Sequence, residues 1–335
     1  MPTVFNILIK SETHSCFTDT RYKRGTVVET FSNTYVPQSI MYGVLTQALM
    51  MLLGDGDTVK EVLTHVHLTT PLPVCARHPW HTFWLEPNIP ICGECGRRAV
   101  AKRTKIFLTA PLNPHLWQPI TEERERIQPI RRQYPRRIYA LSPGQYFKFH
   151  LIVDEDEYLD YISKCFKIIF HKISELDLCR RRVGMEYGIG LSMGWGKKFG
   201  WGLFSAEIQK IPVKYEELDK YVYTAIAQAP VKEGYGVELL SGMYENVRYI
   251  SNRNISSLLR GAEFTSEIVI AKGSVVKIDA NKVNLLRYTI DMDDFTFILL
   301  HERGNRGIFT RTIRYGQRTI VDQVKAIEPI YMLAW

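Results

Sequence analysis

YFKFHLIVDEDEYLDYISKCFKIIFHKISELDLCRRRVGMEYGIGLSMGWGKKFGWGLFSAEIQKI, residues 146–211, is the stretch on which the fold turns. Tyr146 to Val153 alternates and then runs apolar, as a strand does. Asp154 suits an N-cap and acids fill the next turn. Leu159, Ile162, Phe166, Ile169, Ile173 and Leu176 then recur at the helical period. The spacing predicts a helix over 154–182, closed by Arg180, Arg181 and Arg182, whose charge complements the helix dipole. A glycine-rich loop follows, and Leu203 to Ile211 reads as a strand.

Working towards the N-terminus, TVFNILIK at 3–10 reads as a buried strand, and the polar Ser11 to Asn33 as a loop or irregular hairpin. TYVPQSIMYGVLTQALMML at 34–52 predicts a helix with Pro37 in its first turn, a buried stripe of Met41, Leu45, Leu49 and Leu52, and a stop at Gly54, Asp55 and Gly56. Strand–helix, excursion, strand–helix–strand is the order of an α+β, ferredoxin-like (RRM-like) sandwich, here 1–211. Its middle holds an insertion over about 71–98 and a basic excursion over about 97–145, with a strand at Lys105 to Thr109 and an extended, proline-rich surface segment at Pro111 to Pro143. Residues 212–236 read as a connection. Residues 237–335 read as a β-rich C-terminal unit, in which VRYIS, SEIVIA, GSVVKID, FTFILL and GIFTRTI alternate or run apolar. The tail IYMLAW is a strand or a docking segment.

Of the 335 residues, 45% are hydrophobic and 23% charged, which excludes a disordered or collagen-like chain. No run of 18 apolar residues exists, so no membrane helix is expected. The first ten residues lack the pattern of a secretory signal, so the expectation is a soluble, cytoplasmic protein. The net charge is +8, yet residues 97–148 alone sum to +9. So concentrated an excess favours a polyanionic partner.

Six cysteines in a chain this long make no disulfide scaffold. Cys75-x2-His78, thirteen residues, then Cys92-x2-Cys95 has the spacing of a zinc site, with Gly93 and Gly96 easing the second knuckle. His81 is the alternative fourth ligand. Four such ligands close a tetrahedron and leave no open position, so the expected cofactor is one structural zinc holding a coreless insertion.

In the glycine loop, Gly188, Gly190, Gly194, Gly196, Gly200 and Gly202 form three G-x-G units. Met193 breaks the dinucleotide fingerprint, and Leu191 with Lys198 breaks the P-loop. What remains can bring amides close to a phosphate, with Lys197 and Lys198 to neutralise it and Trp195 or Trp201 to stack a base. The alternative is a structural turn with its tryptophans in the core. Arg124, Arg126, Arg131, Arg132, Arg136 and Arg137, interleaved with Tyr134 and Tyr139, extend a possible RNA track. No catalytic set stands out: neither G-x-S-x-G nor H-E-x-x-H occurs. His14 and Asp19 are the candidates for acid–base chemistry. Asp154, Asp156 and Asp160 read as a helix cap, and Asp291, Asp293 and Asp294 as a turn or a cation site.

These residues resemble the RAMP superfamily of CRISPR effector proteins. Tyr35, Val36, Pro37, Ser39, Gly43 and Leu45 match its Y-[IV]-P-G-S-x-[LI]-[RK]-G-[AV]-[LI] helix start, with Gln38 and Tyr42 departing from it. Gly194, Gly196, Lys197, Lys198, Gly200 and Gly202 match its glycine loop, G-x-G-x-[KR]-x-x-G-x-G. The resemblance covers roughly residues 1–211. It implies a non-catalytic, crRNA-binding subunit of a type III interference ribonucleoprotein, most like the one-copy subunit that caps the crRNA 5′ handle in its type III-D form. Its implied partners are crRNA, other RAMP subunits and, indirectly, target RNA. Two alternatives follow: the repeated backbone subunit, where Asp19 would stand in for the aspartate that cuts target RNA, or a metal-independent crRNA-processing endoribonuclease with His14 as base.

Overall fold

The computed structural model describes residues 3–17, 21–24, 27–81, 83–86, 89–108, 136–153 and 155–211, and beyond them Ser274 and ten strands between 214 and 311. In chain order the first part runs β1 (Thr3–Ser11), β2 (Arg21–Arg24), β3 (Val27–Phe31), α1 (Gln38–Leu53), α2 (Gly56–Thr64), β4 (Val66–Leu68), β5 (Leu72–Pro73), β6 (Phe83–Glu86) and β7 (Ile89–Cys92). It continues with β8 (Arg103–Leu108), β9 (Arg136–Leu141), β10 (Tyr146–Val153), α3 (Leu159–Ile169), β11 (Lys172–Leu176), β12 (Arg182–Tyr187) and β13 (Phe204–Ile211).

The main sheet has the order β12-β11-β13-β1-β10-β4, with β5 also on β10. β1 lies between β10 and β13, antiparallel to both, while β11 runs parallel to β13. The fold is α+β with mixed sheets. Alternation along β1 sends Phe5, Ile7 and Ile9 to one face, where they meet Leu45 and Leu49 of α1, Val62 of α2 and Ile162 and Phe166 of α3. Leu8 points the other way, to Val74, Trp80 and Leu176. Both faces of β1 are covered, so it is buried almost throughout, Asn6 included.

The helix predicted over 154–182 is overturned. α3 ends at Ile169, and Phe170 is already extended. Ile173 and Leu176 fit the helical spacing, but they are buried positions of β11, paired with Ala206 and Gln209. A stretch this short satisfies both periods, and pairing with β13 decides between them. Arg180 does not complement a helix dipole. It takes φ 63° in the turn between β11 and β12, where the Arg181 amide donates to the Asp177 carboxylate at 2.8 Å. Asp154 lies outside the described residues. The stop at Gly54–Gly56 is half right: Gly54 caps α1 in the left-handed region, but Asp55 then caps α2, accepting from the Thr58 amide at 2.9 Å.

A second sheet, β2-β3-β9-β8, joins the early hairpin to the basic excursion. β9 belongs to the segment expected to be extended surface, yet its Ile138 and Ala140 are buried against Cys16, Trp195 and Trp201. Residues 109–135, with Arg124, Arg126, Arg131 and Arg132, lie outside the described residues, as do Asp19 and Asp291.

Further along, β14 (Lys214–Tyr215), β15 (Val222–Ala225), β16 (Ala229–Pro230), β17 (Val237–Ser241), β18 (Tyr244–Ile250), β19 (Phe264–Ile270), β20 (Val275–Ile278), β21 (Val283–Ile290), β22 (Asp293–Leu300) and β23 (Arg306–Arg311) form two sheets. Their orders are β14-β21-β22-β23-β15-β20-β17 and β16-β19-β18. Asp293 and Asp294 are strand residues, paired with Ile290 and Thr289.

Candidate metal centre and nucleic-acid groove

The segment after β5 gathers the first site. His78 lies one turn past Cys75, its amide donating to the Cys75 carbonyl at 3.1 Å. The β6–β7 hairpin then returns the chain to Cys92. Beyond it Gly96, at φ 63°, lets its amide reach the Cys92 carbonyl at 2.8 Å, and the Cys92 amide donates to Arg97. The ligand atoms of Cys75, His78, Cys92 and Cys95 all lie within 4.8 Å of one another. Cys75 Sγ is 3.8 Å from Cys95 Sγ, and His78 Nδ1 is 3.7 Å from Cys92 Sγ and 4.0 Å from Cys75 Sγ. A zinc–sulfur bond of about 2.3 Å makes a tetrahedron with edges of about 3.8 Å, close to the spacings of these four groups, which could hold such an ion. His81 stands outside the four, with Nδ1 at 3.4 Å from the Glu94 carboxylate.

The thiols differ. The Arg97 amide, donating to its sulfur, lowers Cys95 to about 7. Burial pushes Cys92 up. A thiol near 7 supplies thiolate at neutral pH, the form a metal takes. The insertion is tied to the main sheet through Trp80. Its indole donates to Glu207, and its carbonyl accepts from the buried Lys148 ammonium at 3.2 Å.

The second site lies where α1 approaches the glycine loop. A groove of about 460 Å³ is lined by Cys16, Phe17, Ile40, Gly43, Val44, Gln47, Gly194, Trp195 and Lys197. Ile40, Gly43, Val44 and Gln47 share one face of α1, and Gly43 has open space where a Cβ would sit. Lys197 is exposed at the loop wall. Trp195, Phe199 and Trp201 cluster with ring centroids 5.8–5.9 Å apart, and His14 lies 5.9 Å from Trp201.

The loop is built for close packing. A Cβ at Gly194 would stand 2.6 Å from the Cys16 carbonyl, and one at Gly202 would overlap the Met193 carbonyl. A Cβ at Gly188 would overlap the carbonyls of Lys167 and Phe170. Many loop amides donate inward: Gly188 to His171, Gly190 to Ile168, Trp195 to Cys16, Gly200 to Lys197 and Gly202 to His14. At those positions the amides are engaged within the protein, and the glycines let the loop lie against residues 14–17 and the end of α3. Gly196 differs: at φ 91° it opens the short 3-10 turn Lys197–Phe199, and Trp201 fills the space its missing side chain leaves.

Of the other predicted residues, Arg137 is tied to Glu29 at 3.3 Å, and Arg136 is placed in β9 by its backbone. Lys198 lies in the same turn as Lys197, its side chain outside the described set. The α1 wall was the part that sequence reading missed as a site. Its signal was Gly43, a helix-interior glycine with no cap or turn to justify it.

No protein-family model matches the sequence, and no curated relative matches it. Among solved structures, the chain is similar to a chain of the Type III-B Cmr-beta bound to cognate target RNA. That match has a TM-score of 0.38 and 14% identity over 62% of this chain and 60% of that one. It is similar to a chain of the Type III-B Cmr-beta bound to cognate target RNA and AMPPnP, state 1, with a TM-score of 0.42 and 10% identity over 81% of this chain and 86% of that one. A chain of a Type IV-B CRISPR complex gives a TM-score of 0.33 and 11% identity over 61% and 90%. Among the described residues, no helix is long and apolar enough to cross a membrane.

Proposed function

We propose that this chain is a crRNA-binding subunit of a type III CRISPR interference ribonucleoprotein, holding the 5′ handle of the guide without cutting RNA. One observation carries the reading. The two stretches that resemble the RAMP motifs, at 35–45 and 194–202, form facing walls of one groove, with Gly43 on one side and Gly194, Trp195 and Lys197 on the other. An unpaired nucleotide fits such a groove: Trp195 offers a ring to its base and Lys197 a charge to its phosphate. The strand order β13-β1-β10-β4, with α1 and α3 on one face, supports a ferredoxin-like domain over 1–211. The connection over 212–236 and the β-rich unit over 237–335 remain the proposed division of the rest. Zinc in the Cys75, His78, Cys92, Cys95 cluster would be structural, stabilising an insertion with little core of its own.

The test is recovery of a tagged chain from its native host, with small-RNA sequencing and metal analysis of the same eluate. Guides sharing one repeat-derived 5′ end, other RAMP subunits and one zinc per chain are expected. The eluate should leave repeat RNA uncut in EDTA, whereas cleavage lost on His14→Ala would move the reading to the endoribonuclease. Zinc without RNA or partners overturns the proposal.

A further inference from the structure

The sheet β2-β3-β9-β8 has two faces, and one of them packs against the tryptophans of the glycine loop. Ile138, Ala140 and Ile106 turn towards Trp195 and Trp201. On the other face the parallel register sets Phe31 beside Tyr139, and their rings stack at 4.3 Å with 4° between planes. The antiparallel register sets Lys105 on the other side of Tyr139, with Arg103 two residues along the same edge strand. Both rings are half-buried and both cations exposed. Glu29, an acid on this face, is itself buried and engaged with Arg137.

We infer that this face binds an unpaired stretch of RNA, continuous with the nucleotides in the groove. The inference rests on the RNA-binding reading above and adds a second contact to it. Stacked aromatic rings beside exposed cations are what single-stranded nucleic acid requires: a π-face for the base and a positive charge for the phosphate. A paired helix would leave no base face open for the rings. The charge is complementary, because the cations stand on an edge strand at the start of the chain's most basic stretch. The loop tryptophans and the ring pair lie on opposite sides of this sheet, so RNA that touches both passes round its edge.

The experiment uses the full-length, metal-loaded chain and a fluorescent oligouridylate of about 20 nucleotides, longer than the roughly 4–16 that one binding module covers. Phe31→Leu with Tyr139→Leu should weaken binding about tenfold, the effect of one lost stacked base, while the thermal midpoint is kept. Lys105→Gln should lower the salt slope by about 1. Lys197→Gln with Trp195→Leu reports on the groove separately. Leucine variants that bind as tightly as the parent, while the groove variant weakens, overturn the inference and leave the RNA-binding reading standing. A parent chain with no salt-dependent affinity sinks both. Should the leucine variants unfold, 5-iodouridine crosslinking of the unaltered chain decides. Adducts at Tyr139 or Phe31 support the second surface, and adducts confined to Trp195 and its neighbours overturn it.

Discussion

The cysteine insertion and the glycine loop solve the same problem by opposite means. Neither has a hydrophobic period, both carry glycines at positive φ, and both lie against the main sheet. The insertion closes on itself: two short knuckles and a hairpin bring four ligand atoms together. The glycine loop closes on its surroundings. It is held by amides donating to Cys16, His14, Ile168 and His171, and by glycines at which any side chain would meet backbone. A chain lacking a core can therefore be fixed by an ion that it carries or by a scaffold that it touches. The first kind should fail locally when the ion leaves, and the second should fail together with the scaffold.

Metal removal is the sharpest way to break that comparison. Structural zinc contributes on the order of 10 kcal/mol of apparent binding energy in small metal domains. Cys92→Ser, or prolonged chelation, should abolish hydrogen-exchange protection at the Cys92 and Gly96 amides while β1 and β13 stay protected. Loss of protection in β1 as well would show that the insertion is part of the main folding unit, through Trp80 and Lys148.

The glycine loop should show the reverse. Gly202→Ala puts a methyl into the Met193 carbonyl at φ 84°, and should cost about 3 kcal/mol or more of global stability from strain and overpacking combined. Gly200→Ala has open space at a similar φ of 73° and should cost only the left-handed strain, about 1–2 kcal/mol. Equal effects in denaturant titrations would mean that the close approach at Gly202 is soft.

How much of this was legible follows from where each partner sits in sequence. The four residues that could hold a metal ion lie within positions 75–95 and announce themselves by spacing alone. Gly202 needs Met193 and His14, and Gly194 needs Cys16, so their reasons appear only once the segment after β1 and the loop are side by side. The same holds for β11. Ile173 and Leu176 fit a helix until β13, about 30 residues later, pairs with them. The motif order announced the alternation of strands and helices. The groove, the α1 wall and the second sheet were not readable, because they depend on contacts between segments more than 100 residues apart.

A smaller effect separates the sheet from both regions. His150 is fully buried on β10, and its pKa lies well below the usual value, chiefly from burial and secondarily from the Lys148 charge. It is neutral when folded and takes up a proton on unfolding below about pH 6.5. Its contribution is therefore complete above that pH and is lost as pH falls towards the folded value, by at most about 1.4 kcal/mol per pH unit. The metal-loaded chain should lose thermal stability through this window, and His150→Gln should flatten that slope relative to the parent. An unchanged slope would assign the acid sensitivity to groups other than His150.

The smallest effect is the most informative about the groove. Gly43 lies inside α1 with nothing near its missing Cβ, so Gly43→Ala should stabilise the chain by about 0.5–1 kcal/mol through helix propensity alone. The added methyl enters the groove that Trp195 and Lys197 line from the other side. Stability and RNA affinity should therefore move in opposite directions, a split that no general loss of folding can imitate. Gly43→Leu should enlarge the loss of affinity with little further change in the thermal midpoint. If both variants bind RNA as the parent does, the space at Gly43 serves neither packing nor ligand, and the RNA contact retreats to the rim at Lys197. A glycine retained in mid-helix at a cost to stability is best explained by something that must pass close to it. This pair of variants asks directly whether that something is a nucleotide.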